Sequence, residues 1–400
     1  MTQPIALFVF IPFCKIKCTY CDFNVYAHLA RWRESYAEAV VREIAESRVQ
    51  SPELTARSVY FGGGTPSLMP VPAIEKILRA CRDTFALLPN AEITLEANPG
   101  SIDVDYLRAL RAMGINRLSL GVQAFDDATL RRLNRGHTVA DALTTFDHAR
   151  QAGFDNISLD FIYGLPLQTF EEWRATLDRA IALQPEHLSL YALKVEEGTG
   201  LAHQIQRGKY PMPDDDLAAE MYELAEEMLA AAGYVQYEIS NWAREIPNLK
   251  SQHPTSNLEP RTYNLHPLTS KHNLTYWHNE PYLGFGAGAH SCFGGERYWN
   301  VLSPVEYIQR IERGASVVAG REEINRELEM AETMILGLRL NEGISFDEFA
   351  RRYGEDGRKK YAQQLRETSD LGLIELSDTR VRLTPRGRLL SNEVFWRFLP

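Results

Sequence analysis

From residue 5 to about residue 205, apolar positions gather in short runs separated by polar junctions and stretches of helical period. The runs read ALFVFI (6–11), RSVYFGGG (57–64), AEITLEANP (91–99), NRLSLGVQ (116–123), NISLDFIYGLP (156–166) and HLSLYALKVE (187–196). Between them the apolar spacing changes to that of a helix. In SIDVDYLRALRAMG, Leu107, Leu110 and Met113 share one face, with Ser101 placed to cap the start and Gly114 the end. Six strand–helix units in a row predict an α/β fold, with parallel strands joined by helical crossovers. Closure into a partial six-stranded (β/α)6 barrel of the TIM type is the expectation for residues 1–205, with an open sheet as the alternative.

The pattern then changes. Residues 245–271 are rich in Pro, Asn, Ser and Thr and carry neither period, so they read as a surface loop. KHNLTYWHNEPYLGFGAGAHS follows, dense in aromatic residues and glycine. From about residue 328, helical runs alternate with a candidate hairpin, GLIELSDTRVRLTPRG, which suggests a small winged-helix-like module. Residues 206–327 are therefore expected to form an α+β extension, and 328–400 a terminal module.

Bulk properties narrow the function classes. Four hundred residues exceed one compact core. A net charge of −10 argues against a sequence-independent nucleic-acid surface, so no nucleic-acid partner is expected. No run of 18 apolar residues is present to span a membrane. The start, MTQPIALFVFIPFCK, lacks a basic segment and a small-residue cleavage site. Five cysteines, an odd count, then read as reduced thiols in the cytoplasm.

Three of the five crowd together. Cys14, Cys18 and Cys21 make C-x3-C-x2-C, and position 23 holds Phe. Three thiolates can hold three irons of a cubane and leave the fourth open, whereas a structural zinc asks for four protein ligands. A zinc site would need a further ligand such as His28. Cys81 and Cys292 are isolated and read as small buried hydrophobes. The chemistry-bearing positions follow the predicted strands at their C-terminal ends, the rim where ligands bind in β/α barrels.

C-x3-C-x2-C with Tyr20 before its last cysteine resembles the signature of the radical S-adenosylmethionine superfamily. The resemblance implies a [4Fe-4S] cluster on Cys14, Cys18 and Cys21, with S-adenosylmethionine on the open iron. YFGGGTPS resembles that superfamily's glycine motif, which implies cofactor contacts at Gly63, Gly64 and Thr65. By similarity to the coproporphyrinogen dehydrogenase branch, Phe8, Tyr20, Glu96, Gln123, Arg135, Asp160 and Ala192 are also implied at the cofactor. One departure is visible: that branch opens with Y-x-H-I-P, where this chain has Phe8 and Phe10, which removes a hydroxyl.

Within the branch the chain resembles the HemW-type haem-chaperone family more than the oxygen-independent coproporphyrinogen III dehydrogenases. The dehydrogenases carry a further cysteine where Phe23 stands, and an extension longer than the thirteen residues ahead of Cys14. The HemW-type family carries H-N-x-x-Y-W, matched by residues 272–277, His-Asn-Leu-Thr-Tyr-Trp. The resemblance implies a third cofactor, haem, near His272, Tyr276 and Trp277, with His290 as a further candidate ligand. It implies haem transfer to an acceptor, a membrane-bound respiratory haem protein, from a cytoplasmic chain that is compatible with peripheral membrane association and with a homodimer. Porphyrinogen oxidation is the alternative.

Overall fold

The computed structural model of the protein describes residues 4–47, 54–245 and 268–400. Most of the expected surface loop therefore lies outside the described residues. The six apolar runs form six parallel strands: β1 (Ile5–Ile11), β2 (Thr55–Gly63), β3 (Ala86–Ala97), β4 (Arg117–Gln123), β5 (Ile157–Tyr163) and β6 (His187–Ala192). They pair in sequence order, each joined to the next by helical crossovers. Alternation along β1 shows why: Leu7, Val9 and Ile11 are buried against the helices, while Phe8 and Phe10 face the barrel interior. The crossover helices bury one stripe each; Val71–Thr84 buries Ile74, Ile77, Leu78 and Cys81. The helix Val104–Ala112 is capped by Asp103, which accepts from the Tyr106 amide, and not by Ser101. The Ser101 hydroxyl instead donates to the Asn98 carbonyl at 2.5 Å, within the turn that leaves β3.

The sheet does not stop at six strands. β8 (Asn241–Arg244) pairs antiparallel with β6, and β7 (Tyr234–Glu238) pairs antiparallel with β8. β9 (Tyr282–Phe285) adds parallel to β1 as a seventh parallel strand, and β10 (His290–Phe293), β11 (Glu296–Asn300) and β12 (Val318–Glu323) follow antiparallel. The order is β12-β11-β10-β9-β1-β2-β3-β4-β5-β6-β8-β7, and its two ends are not paired with each other among the described residues. The result is a partial barrel whose sheet runs on at both edges.

Polar groups fill the barrel's lower interior. Ser58, Glu92, Arg117, Ser158 and His187 are all buried there. The helix Lys271–Trp277 closes this end, its first turn docked on Glu92. That carboxylate accepts from the amides of Lys271 and His272, each at 3.1 Å, and from the Ser270 hydroxyl. A buried anion at a helix N-terminus satisfies orphan amides and complements the helix dipole.

The terminal module packs β13 (Ile344–Ser345), β14 (Ile374–Leu376) and β15 (Arg380–Leu383) in the order 13-15-14. Met334, Phe346, Phe349, Val381 and Phe398 belong to its separate apolar core. Arg388 ties it to Glu226 at 2.7 Å, and Arg352 donates to the carbonyls of His278 and Asn279. No described helix is long and apolar enough to cross a membrane.

Candidate cluster and cofactor site

A cavity of about 460 Å³ opens at the C-terminal ends of the six parallel strands. Cys14, Cys18, Tyr20 and Cys21 line it from the loop after β1, Gly63, Gly64 and Thr65 from the end of β2, and Glu96 and Asn98 from β3 and its exit. Gln123, Arg135, Asp160 and Ala192 complete the wall. The structure thus brings together all the residues expected at the cluster and S-adenosylmethionine except Phe8. Phe8 points below the cavity instead, its ring 6.0 Å from that of Tyr60 and 5.9 Å from that of His272.

The cysteine loop is pinned on several sides. Cys14 donates its amide to the Tyr26 carbonyl, Thr19 to Leu133, and the Asn134 side chain reaches the Lys17 carbonyl at 2.9 Å. Gly64 and Thr65 donate to the carbonyls of Ile11 and Phe13, each at 2.8 Å. A Cβ on Gly64 would stand 2.7 Å from the Phe13 oxygen and 2.9 Å from that of Ile11, so the close approach of β2 to the loop requires glycine here.

A polar belt links the loop to the barrel rim. Thr65 Oγ1 lies 3.5 Å from Cys14 Sγ and accepts from Asn98 Nδ2 at 2.8 Å. Asn98 Oδ1 accepts from Arg135 Nη2 at 2.6 Å, and Arg135 Nη1 reaches Cys18 Sγ at 3.3 Å and the Tyr20 hydroxyl at 3.4 Å. Arg135 Nε is buried without a partner. A guanidinium aimed at thiols and held in this way suits negative charge at the site. Burial pushes the Cys21 thiol up to about 11 and raises that of Cys14. Both would therefore release a proton on binding metal.

Deeper in, two carboxyl groups face each other across the barrel. Glu96 accepts from the Tyr60 hydroxyl at 2.8 Å and the Gly63 amide at 3.0 Å. Burial raises its carboxyl to about 7, against the pull of the Tyr60 hydrogen bond. Asp160, also raised by burial, accepts from Ser119 at 2.8 Å and Ser158 at 3.0 Å. Gln123 takes a positive φ of 69°, a conformation uncommon outside glycine.

Among the described residues, no three His, Cys, Asp or Glu side chains are gathered tightly enough to hold one metal ion. Asn98 and Tyr60 were missed by sequence reasoning. Asn98 stands two residues past Glu96 in LEANP, so its place at a strand end was the available signal.

The H-N-x-x-Y-W segment is placed otherwise than expected. His272 is 2% exposed, and both its ring nitrogens are engaged, Nδ1 with Ser58 Oγ at 3.0 Å and Nε2 with Tyr276 Oη at 2.9 Å. Its ring stacks on Tyr60, and burial lowers its pKa to about 3. No nitrogen remains for haem iron in this arrangement. Tyr276 sets its edge on Tyr282, and Trp277 lies under the Arg339 guanidinium, 4.3 Å from the ring centre, against the terminal module. The segment plugs the barrel and seats the module, and only Asn273 reaches the cavity.

Comparison with known proteins agrees with this architecture. Residues 8–180 match the radical SAM superfamily and residues 324–390 the HemN C-terminal domain. Fold and site thus define a radical SAM protein, the class that carries a [4Fe-4S] cluster and S-adenosylmethionine. The chain is 36% identical to the heme chaperone HemW of Bacillus subtilis (strain 168) over 398 residues, 98% of this chain and 99% of that one. It is 35% identical to heme chaperone HemW of Mycobacterium tuberculosis (strain ATCC 25618 / H37Rv), over 98% of this chain and 94% of the other. The solved structure of coproporphyrinogen III oxidase (HemN) from Escherichia coli, a radical SAM enzyme, is 25% identical and covers 99% of this chain and 90% of its own, with a TM-score of 0.82. The chain belongs to the HemW family.

Proposed function

We propose that the chain binds haem and hands it to an acceptor protein. Residues 1–205 would hold the cluster and S-adenosylmethionine, 206–327 the haem, and 328–400 would serve as a supporting module. The observation that carries the reading is Phe23. It stands at the cavity mouth, 60% exposed, where the dehydrogenases carry a further cysteine, in a chain similar along its length to proteins called heme chaperones.

In this reading Cys14, Cys18 and Cys21 hold the cluster, with Arg135 offsetting thiolate charge at Cys18 and Thr65 donating to Cys14. Gly63 and Gly64 let the backbone approach the cofactor, and Glu96 and Asp160 accept from its hydroxyls. When bound, the cluster and S-adenosylmethionine together supply one-electron reductive chemistry. The finer reading makes the acceptor a respiratory haem protein in the membrane, met by this chain from the aqueous side.

A second reading, oxidation of a porphyrinogen, draws on the 0.82 match to the E. coli oxidase. Anaerobic haem titration of the cluster-loaded chain separates the two, run beside a coproporphyrinogen decarboxylation assay with S-adenosylmethionine and a reductant. Saturable binding near one haem per chain without decarboxylation supports the carrier. Decarboxylation without saturable haem binding overturns it.

A further inference from the structure

We propose that haem is held by His290 on the open face of β10 and β11, a site that rests on the haem-carrier reading above. Strand register places His290 opposite Trp299, and their rings stack at 5.8 Å with 25° between planes. His290 is exposed, and its ring makes no hydrogen bond among the described residues. His272 and His187, by contrast, have both ring nitrogens engaged.

The same row of the sheet is bare on either side of the pair. Gly284 of β9 lies beside His290, and Gly320 of β12 lies beneath the Trp299 indole, where a Cβ would stand 2.4 Å from the ring. Below this row Tyr282 and Arg297 are covered, by Tyr276 and by Glu332 of the terminal module. Above it lies the cysteine loop: Asn24 donates to the Leu302 carbonyl at 2.9 Å, and Leu302 is 60% exposed beside Gly288. The outcome is an open ledge between cluster loop and module, with an imidazole nitrogen free to ligate and the Trp299 indole bracing that ring.

Haem matches that set. Its iron takes one imidazole nitrogen in exchange for water, with no change of oxidation state, and because the ligating ring stands upright on the macrocycle, the stacked indole braces that ring and meets the haem edge-on. Partial burial and the nearby Arg297 lower the His290 pKa, so the ring is neutral and able to ligate at pH 7. One axial histidine on an open ledge leaves the other haem face and an edge accessible, as a carrier requires.

The test is haem titration of the cluster-loaded chain, read by Soret position and by resonance Raman, with His290→Ala, His272→Ala and His28→Ala beside the wild type. His290→Ala is expected to weaken binding roughly tenfold or more, with added imidazole restoring the wild-type spectrum. Unchanged binding in His290→Ala overturns this site while leaving the carrier reading intact, as does loss of the axial signature in His28→Ala or His272→Ala instead. No saturable binding by the wild type overturns the carrier reading itself.

Discussion

Replacing Gly64 by alanine tests how closely the glycine turn is fitted to the cysteine loop. The new methyl group would sit 2.7 Å from the Phe13 carbonyl oxygen and 2.9 Å from that of Ile11, where ordinary contact begins at 3.4 Å. Both obstacles are main chain, so no side-chain rotation relieves them. Relief needs a shift of about 0.7 Å, and the same two carbonyls accept the 2.8 Å bonds from Gly64 and Thr65. A shift of that size takes those bonds to the limit of hydrogen bonding. Two lost bonds at about 1 kcal/mol each, with overpacking strain of similar size, give about 3 kcal/mol of destabilisation. The loop that bears the three cysteines is the part displaced. Chemical denaturation gives the stability, and iron content after anaerobic reconstitution gives the state of the loop. Gly200→Ala is the control, because its Cβ would meet Thr19 at an ordinary 3.4 Å. A Gly64→Ala protein as stable as the control, with full iron content, would refute the reasoning.

Three further outcomes follow from the same structure. Cys18→Ser should lose the cluster's visible absorption on reconstitution, and retention of full iron and sulphide would contradict the ligand assignment. Glu92→Ala removes the acceptor for Ser270, Lys271 and His272 and deprives buried Arg117 of its strongest carboxylate interaction, a loss of about 3–5 kcal/mol. Hydrogen exchange should show the helix Lys271–Trp277 deprotected, and wild-type protection there would count against the plug. Glu43 is raised by burial from 4.5 to about 7 while accepting from Tyr307, Asn300 and Gly286. Between those pH values this carboxyl ionises in the unfolded chain and not in the native one, so its own contribution lowers stability by about 3 kcal/mol as pH rises. Glu43→Gln lacks this slope, so a wild-type-minus-variant difference independent of pH from 4.5 to 7 would show the shift to be absent.

Much of the fold was legible because its signals are local. Each of the six central strands is long enough to stand out as an apolar run, and four of them end in a residue that lines the cavity, Gly63, Ala97, Gln123 and Ala192. β9 was not legible as a strand: Tyr282–Phe285 is four residues long, contains glycine, and gains strand character only by pairing with β1, far away in sequence. The cysteines, Glu96, Arg135 and Asp160 were legible as site candidates because motif and strand-end position agree. His272 misled because its chemistry is visible in sequence and its partners are not. Ser58 Oγ, which engages Nδ1, lies 214 residues away. Phe8 misled for a related reason, since strand parity sends it inward but the rings of Tyr60 and His272 hold it beneath the cavity.

The central claim is delivery, and stopped-flow transfer measures it. The haem-loaded, cluster-containing chain is mixed anaerobically with an apo-cytochrome of the respiratory class, and the acceptor's Soret band is followed as acceptor concentration rises. Direct handover predicts a rate that climbs with acceptor concentration. A rate fixed by haem escape into water, whatever the acceptor concentration, would contradict the account.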